Sequence, residues 1–262
     1  MKSDAGEVDG RGISLFEIIV GADNQSNLLR ASGSGSSLYG GKGEAYNTLQ
    51  GGLGVDTFLH TNGAGLIQNC TTGDVVRFGA EYTGISFAND DIFIKSTEGD
   101  LIVQSIRNQV VEVTDGDGNF ACHVMLSAGE GYLDGSSISG YKVLSGDRDV
   151  SNIIQAGNEG SSLYGGLRGA DTLIGGNGED CFMFGYDSGR DTIYSAYSND
   201  YVNFMDITLD GITEISSTEN QTKFSFISTG ELTIDGNNGT GYMIQGKMYD
   251  VDLATNSLVE RT

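Results

Sequence analysis

Short runs of alternating polar and apolar residues, separated by glycine-rich turns, cover most of this sequence. In the second half the segments GDRDVSNIIQ, AGNEGSSLY, GGLRGADTLI and GGNGEDCFM follow one another, and each closes on a polar residue, a spacer and an apolar residue. The first half has the same layout in GADNQSNLLR, ASGSGSSLY, GGKGEAYNTLQ and GGLGVDTFL. A period of nine to eleven residues, with glycine in front of a brief apolar strand, predicts a parallel β-solenoid and no helix.

A second kind of alternation follows these segments in each half. It runs through DIFIKS, DLIVQSI and VVEVTDG in the first half and through KFSFIS, ELTIDG and GYMIQG in the second. Alternation interrupted by Gly, Asn and Asp predicts antiparallel hairpins. Hairpins would cap a solenoid whose open end otherwise exposes apolar side chains and unpaired strand groups. The predicted fold class is therefore all-β, with a short parallel β-roll or β-solenoid flanked by antiparallel hairpins.

The two halves are copies of one another. The string SSLYGG occurs at 36–41 and again at 161–166, and the flanking FEIIVGADNQSNLLR aligns with YKVLSGDRDVSNIIQ. We therefore predict two homologous units, at 14–140 and 141–262, each with its own β-roll and hairpins.

The composition narrows the choice of partners. The 262 residues include 36 acids against 14 Lys and Arg, a formal charge of −22, which repels nucleic acid and anionic membrane surfaces. Cations are the more natural partners. No stretch of 18 apolar residues is present, so we expect no membrane insertion, and the first residues lack the apolar core of a secretory signal.

The best-formed turn, GGNGEDCFM, has the pattern Gly-Gly-x-Gly-x-Asp-x-apolar-x. Glycines let the backbone adopt positive φ and turn carbonyl oxygens inward, while the Asp adds a carboxylate at the end of the loop. Phe182, the apolar residue that follows, is expected to point into the coil. Calcium takes six to eight oxygen ligands and suits such a loop better than magnesium, which requires a stricter octahedron.

The stretch GGLRGADTLIGGNGEDCFMF, followed by SGRDTIYSAYSNDYVNF, resembles the RTX, or hemolysin-type calcium-binding, repeat of secreted bacterial proteins. A weaker likeness is present in YGGKGEAYNTLQGGLGVDTFLH of the first unit. The resemblance implies a parallel β-roll in which each nonapeptide forms a six-residue loop and a three-residue strand. It also implies calcium between loops on the same edge, held by the Asp positions of alternate repeats.

Carried over to this chain, the resemblance implies rows that are poor in carboxylates. Asn152 is expected to pair with Asp171 and Ser161 with Asp180, while in the first unit Asn27 pairs with Asn47 and Ser36 with Asp56. The candidate metal residues are Asp180, Asp171, Asn152, Asp191, Asp56, Gly165, Gly166, Gly169, Gly175, Gly176, Asn177 and Gly178. We expect calcium in the second unit before the first. The alternative is a solenoid that has become independent of metal.

Residues suited to catalysis do not form a recognisable pattern. His60 and His123 are the only histidines, and neither lies near a Ser, Cys or Asp arrangement typical of nucleophilic catalysis. Cys70, Cys122 and Cys181 have no metal-ligand spacing and are expected to be free thiols. The sequence therefore predicts a chain that is not an enzyme.

We expect a non-catalytic, calcium-binding or calcium-derived structural module of an extracellular or cell-surface bacterial protein, such as an adhesin, surface layer or secreted repeat protein. The resembling family is often exported without a cleaved N-terminal signal. One alternative is a self-assembling subunit that forms a fibre or lattice with copies of itself. The other is an accessory polysaccharide-binding module of a secreted enzyme, with surface glycans as its partners.

Overall fold

The structure is a computed structural model, and it describes residues 6–78, 82–88, 91–97, 99–104, 106, 109–114, 120–126, 131–228, 230–236 and 239–262. Within these ranges the regular structure is β-strand, apart from one short 3-10 turn at Leu209–Gly211. None of the helical structure in the described ranges is long and apolar enough to cross a membrane. The chain divides into two compact units, Met1–Leu126 and Ser127–Thr262, which are described one at a time.

The strands described in the first unit are β1 (Glu7–Asp9), β2 (Glu17–Val20), β3 (Leu28–Arg30), β4 (Ser36–Tyr39), β5 (Asn47–Gln50), β6 (Thr57–His60), β7 (Gly65–Gln68), β8 (Val75–Phe78), β9 (Tyr82–Ala88), β10 (Asp91–Ser96), β11 (Leu101–Val103), β12 (Val110–Thr114) and β13 (Phe120–Leu126). One sheet has the order β1-β3-β5-β7-β11-β10-β9, and the other contains β2-β4-β6-β8-β12-β13. Alternate strands are thus neighbours, as two-stranded coils of a solenoid require.

The strands described in the second unit are β14 (Tyr132–Asp134), β15 (Lys142–Ser145), β16 (Ile153–Gln155), β17 (Ser161–Tyr164), β18 (Thr172–Ile174), β19 (Asp180–Phe184), β20 (Arg190–Tyr194), β21 (Tyr201–Phe204), β22 (Ile212–Ser217), β23 (Gln221–Phe226), β24 (Glu231–Asp235), β25 (Gly241–Ile244), β26 (Lys247–Asp252) and β27 (Ser257–Glu260). Here one sheet has the order β14-β16-β18-β20-β24-β23-β22, and the other contains β15-β17-β19-β21-β25-β26-β27.

The coil strands pair in parallel, and their apolar residues stack from coil to coil. Leu38 of β4 lies opposite Phe58 of β6, and Leu163 of β17 lies opposite Phe182 of β19. All four of these side chains are fully buried. Because neighbouring strand residues point to opposite faces, one apolar residue per short strand is enough to build this interior.

The repeated SSLYGG string forms the same structure in both units. Its first four residues are β4 and β17, and its second glycine has a positive φ, 93° at Gly41 and 105° at Gly166. A Cβ atom at Gly166 would lie 2.5 Å from the carbonyl oxygen of Asp147, and one at Gly41 would lie 2.6 Å from that of Ala22. Only glycine accommodates both the backbone conformation and the close approach of the preceding coil.

Antiparallel pairs follow the coils in both units. β9 pairs with β10 and β12 with β13 in the first unit, and β22 pairs with β23 and β25 with β26 in the second. In the second unit Phe224 and Phe226 of β23 pack on aromatic residues of the coils, with ring centroids 5.4 Å apart for Phe224 and Phe204 and 5.1 Å for Phe226 and Phe184. The hairpin strand therefore covers apolar rings that an open coil would expose.

The predicted fold class is confirmed: the chain is all-β, with a parallel β-solenoid flanked by antiparallel hairpins. The prediction of two homologous units at 14–140 and 141–262 stays a prediction. Residues 115–119 and 127–130, near the predicted boundary, lie outside the described residues.

Candidate metal centre

The residue at the end of each glycine turn points into the solenoid, and parallel pairing stacks these residues in rows. In the second unit the Asp171 row consists of Asn152, Asp171 and Asp191, and the Asp180 row consists of Lys142, Ser161, Asp180 and Asp200. Their exposed fractions lie between 0 and 2%. The structure therefore brings together the partners that the sequence predicted, Asn152 with Asp171 and Ser161 with Asp180.

The first unit contains the corresponding rows. The Asp56 row consists of Glu17, Ser36, Asp56 and Asp74, and the Asn47 row consists of Asn27 and Asn47. The predicted pairs Ser36 with Asp56 and Asn27 with Asn47 are thus adjacent as well.

Carboxylates in these rows accept hydrogen bonds from two coils. The Gly176 N–H donates to Oδ2 of Asp180 at 2.7 Å, which closes the glycine turn of that residue. The Asp180 N–H donates in turn to Oδ1 of Asp200 at 2.8 Å. In the first unit the Gly52 N–H binds Oδ2 of Asp56 at 2.7 Å in the same way. Each Asp therefore has a structural task in its own turn, whether or not an ion is bound.

The side-chain amide of Asn152 forms hydrogen bonds to the carbonyl oxygens of the turns around it. Its Nδ2 lies 3.0 Å from the carbonyl oxygen of Asp147, 2.9 Å from that of Val150 and 2.8 Å from that of Gly165. The same nitrogen lies 3.0 Å from Oδ1 of Asp171. The Asn152 side-chain nitrogen is thus a donor to several convergent oxygens. Its side-chain oxygen accepts the Asp147 N–H at 3.2 Å.

Asp171 and Asp191 leave two acidic oxygens without a donor. The Asp171 N–H donates to Oδ1 of Asp191 at 3.0 Å, and Oδ1 of Asp171 accepts the Asn152 N–H at 2.7 Å. Oδ2 of each residue is buried and accepts no hydrogen bond from a donor group in the described part of the chain. Burial raises the pKa of both carboxyl groups, and the neighbouring Asp171 charge raises the pKa of Asp191 further. The two carboxyl groups are close enough to share a proton, which lowers the pKa of Asp171 against the effect of burial and raises that of Asp191. Two buried carboxylates with free oxygens are costly unless a cation or a proton compensates them.

Glycines allow the loop to approach the Asp171 carboxylate. A Cβ atom at Gly165 would lie 2.4 Å from Oδ2 of Asp171, and one at Gly169 would lie 3.0 Å from its Oδ1. The donor set is therefore two carboxylates within a tight glycine loop, all oxygen, which fits a hard divalent cation such as calcium. No group of three or more His, Cys, Asp or Glu residues with metal-binding geometry occurs among the residues described, so further ligands would have to be carbonyl oxygens or water.

The turn at Gly175, Gly176, Asn177 and Gly178 stacks directly on the preceding turn of its edge. A Cβ atom at Gly176 would lie 1.8 Å from the carbonyl oxygen of Gly157, and one at Gly175 would lie 3.2 Å from Oδ2 of Asp180. The Asn177 side chain lies on the exposed surface and donates to Oδ1 of Asn158 at 3.0 Å. The glycines thus permit close stacking, while Asn177 links neighbouring turns at the surface.

Four residues of these rows were not predicted from the sequence, namely Lys142, Asp200, Glu17 and Asp74. Asp200 accepts N–H groups from Asp180 and Tyr197 and closes its row as Asp74 does in the first unit. The signal was present, since each of these two acids directly precedes a strand, as Asp56 and Asp171 do. Tyr164 also lies near the Asp171 row: burial raises its pKa to about 12, and Asp206, Asp191 and Asp171 contribute to the shift.

Comparison with known proteins gives a distant structural likeness. No family model matches the chain, and no curated protein matches it. Among solved structures, the crystal structure of extracellular lipase LipA from Serratia marcescens is similar with a TM-score of 0.30 and 16% sequence identity. The match covers 85% of this chain and 38% of the lipase chain. A likeness of this size transfers neither activity nor substrate to this chain.

The comparison nevertheless contradicts one prediction from the sequence. The chain was predicted not to be an enzyme, whereas the similar protein is an extracellular lipase. We therefore withdraw the non-catalytic description. His60, one of the two histidines considered for catalysis, is buried with its ring edge-on to Phe78 at a centroid distance of 5.5 Å.

Proposed function

We propose that this chain is a calcium-responsive β-roll module of a secreted, RTX-like bacterial protein, and that the Asp171 row is its ion-binding site. The observation that carries the proposal is the pair of adjacent buried oxygens, Oδ2 of Asp171 and Oδ2 of Asp191, which accept no hydrogen bond from a donor group among the described residues and can share a proton or a cation. Asp171 and Asp191 would hold the ion, and the glycines around Asp171 would allow the loop to close on it.

The choice of row follows from the free oxygens. The Asp171 row and the Asp56 row each have two unpartnered carboxylate oxygens in the described structure, whereas the Asp180 row has one, at Oδ1 of Asp180. In the Asp171 row they are Oδ2 of Asp171 and of Asp191, and in the Asp56 row they are Oδ1 of Asp56 and Oε2 of Glu17. Asp171 and Asp191 lie in adjacent coils, whereas Ser36 separates Glu17 from Asp56. Calcium affinity depends on charged ligands that reach the same ion, so the adjacent pair is the strongest candidate of these rows.

Calcium would stabilise the folded chain because it binds a site that the unfolded chain lacks. When bound, it would supply positive charge to a chain whose formal charge is −22. Such a module would be less stable where calcium is scarce and more stable in the calcium-rich exterior. We therefore propose an extracellular or cell-surface location for it.

Thermal unfolding of the metal-free protein, in chelator and across a calcium series at fixed ionic strength, tests the proposal. We expect the Tm to rise with calcium, because at a hundred times Kd binding adds about 2.7 kcal/mol to the free energy of unfolding. The rise with magnesium should be smaller. Asp191→Asn removes one charged ligand and should abolish most of the shift.

Asp252→Asn is the matched control, because Asp252 is half-buried at the surface and accepts hydrogen bonds within its own turn, from the Ala254 N–H and the Thr255 hydroxyl. It should keep the calcium response. A wild-type Tm that does not change with calcium, in a protein that is folded in chelator, would refute the proposal.

Self-association is a second candidate role, and the exposed apolar residues of the first unit favour it. Leu15, Phe16 and Ile18 are 73, 59 and 63% exposed, and a second copy of the chain could cover them. Sedimentation velocity over a hundredfold concentration range, with Phe16→Ser as the variant, tests this role. Concentration-independent monomers would exclude it. Binding to surface glycans stays a prediction from the sequence.

A further inference from the structure

Lys142 is fully buried, and its ammonium nitrogen has no hydrogen-bond partner among the described residues. It stands opposite Ser161, which in turn stands opposite Asp180 in the next coil of the same sheet. Ser161 Oγ and Asp180 Oδ1 are also buried without partners in the described structure. One row therefore contains a cationic group, a hydroxyl and an anionic oxygen, each without a hydrogen bond. A buried ammonium is unfavourable unless an opposite charge compensates it.

The fold makes room for this side chain. A Cβ atom at Gly157 would lie 2.8 Å from Lys142 Nζ, and one at Gly135 would lie 3.0 Å from Lys142 Cδ. Any larger residue at 157 would therefore meet the ammonium. The buried position of the Lys142 ammonium therefore requires glycine at position 157.

The first unit shows the alternative arrangement at the aligned positions. Glu17 stands where the second unit has Lys142, and Ser32 stands where it has Gly157. The Ser32 N–H donates to Ser36 Oγ at 2.9 Å, so the turn is closed without a lysine. Both positions differ together between the copies, as expected if the Lys142 ammonium takes the place of a side chain at position 157.

We propose that the Lys142 ammonium is the built-in cation of the Asp180 row: it compensates the Asp180 carboxylate across Ser161 and excludes a metal ion from that row. Lys142 would then compensate buried carboxylate charge in the Asp180 row, as calcium is proposed to do in the Asp171 row. The exclusion of calcium rests on the proposed function of the Asp171 row, whereas the charge compensation does not.

The surrounding charges agree with this assignment. The acids that act on Lys142 are Glu159 and Asp180; both raise its pKa, while burial, the larger effect, lowers it. Lys142 in turn lowers the pKa of Asp180, against burial and the charge of Asp200. The attraction between Lys142 and Asp180 is thus present across one strand, and it is smaller than the effect of burial on either pKa.

A double-mutant cycle in chelator tests the compensation. Lys142→Met keeps most of the buried chain and removes the charge, and we expect it to lower the Tm by roughly 6–12 °C. Asp180→Asn in that background should recover a substantial part of the loss, because it removes the carboxylate left without a counter-charge. Additive effects of the two changes would overturn the proposal.

Folding of the double variant and a control variant at an exposed lysine complete the cycle. If Lys142→Met does not fold, folding of the double variant supports the pairing, and failure of the double variant to fold opposes it. Lys247→Met is the control, because Lys247 is exposed and bound to Glu260, and Asp180→Asn should not correct its effect.

Calcium stoichiometry separates this inference from the proposed function. Asp180→Asn should bind as many calcium ions as the wild-type chain, while Asp191→Asn should lose one. Loss of an ion in Asp180→Asn would show that the Asp180 row takes metal and would overturn the exclusion. If the wild-type chain binds no calcium, the proposed function fails, and the cycle in chelator still decides whether Lys142 compensates Asp180.

Discussion

The side-chain amide nitrogen of Asn152 lies 2.8 Å from the carbonyl oxygen of Gly165, which belongs to the next glycine turn on the same edge. Asn27 and Gly40 repeat the contact in the first unit at 2.7 Å. An N–H donor in this place satisfies inward-facing oxygens that would otherwise require a cation or water. Neighbouring turns in this solenoid are therefore joined in different ways, by an amide, by an ammonium or, as we propose, by calcium.

Asn152→Asp tests the role of the amide. The change replaces a donor by a carboxylate that faces the carbonyl oxygens of Asp147 and Gly165 and the carboxylate of Asp171. We expect a loss of about 1–3 kcal/mol in chelator, because buried acceptors lose their donor. Calcium should restore more stability to this variant than to the wild-type chain, measured by urea unfolding. Asn158→Asp, at an exposed position, is the control, and equal losses in both variants would contradict the role of the amide.

The stability of the metal-free protein should fall as the pH rises from about 4 to above 6. Burial raises the pKa of Asp56 and of Asp180 from the usual 3.8 to about 6. The folded chain then binds more protons than the unfolded chain in this window, so the stabilising contribution is complete below pH 4 and is lost as the pH passes 6. Urea unfolding in chelator at pH 5 and pH 7 measures the difference.

Asp56→Asn should make this pH dependence shallower, because asparagine does not titrate. Asp23→Asn, at an exposed position, should leave it unchanged. A pH dependence that is as steep in Asp56→Asn as in the wild-type chain would contradict the assignment.

Gly176→Ala should destabilise the solenoid strongly. A Cβ atom at this position would lie 1.8 Å from the carbonyl oxygen of Gly157, so the turn must move away from its neighbour. We expect a loss of roughly 1–3 kcal/mol or more, as for overpacked sites. Gly33→Ala is the control, since a Cβ atom there meets nothing within 4 Å, and it should be neutral or stabilise by about 0.4–1 kcal/mol. Equal Tm values for the two variants would contradict the stacked arrangement.

The three cysteines should be unreactive in the folded protein. Cys70, Cys122 and Cys181 are free and buried, and burial raises the pKa of all three thiols, that of Cys122 to about 12. Because the thiolate is the reactive form, a thiol reagent at pH 8 should modify none of them before unfolding and all three in urea. Rapid modification of the native protein would show that one of these thiols is accessible.

Local pattern predicted the architecture because the forces behind it are local. A glycine pair followed by one apolar residue forces a turn and then buries a side chain, as Gly175, Gly176 and Phe182 do. The repeat length then determines which turns share an edge. For this reason the pairs Asn152 with Asp171 and Ser161 with Asp180 were predicted correctly as neighbours.

Which group compensates the buried carboxylates of each row depends on contacts between coils, and the repeat pattern does not specify these contacts. Asp191 was a candidate metal residue without a predicted partner, yet it lies beside Asp171 and brings a second buried oxygen to the row. Lys142 would ordinarily be assigned to the surface, because lysine is seldom buried. Its burial depends on the absence of a side chain at Gly157, in a turn that the strand register brings beside it.

The repeat pattern alone therefore established the strands, the turns and the stacking of coils, since each follows from steric limits and side-chain alternation within about ten residues. Only the tertiary structure decided what satisfies the inward oxygens of each row. That outcome depends on burial and on the distance between charged groups from different coils, which sequence spacing does not specify.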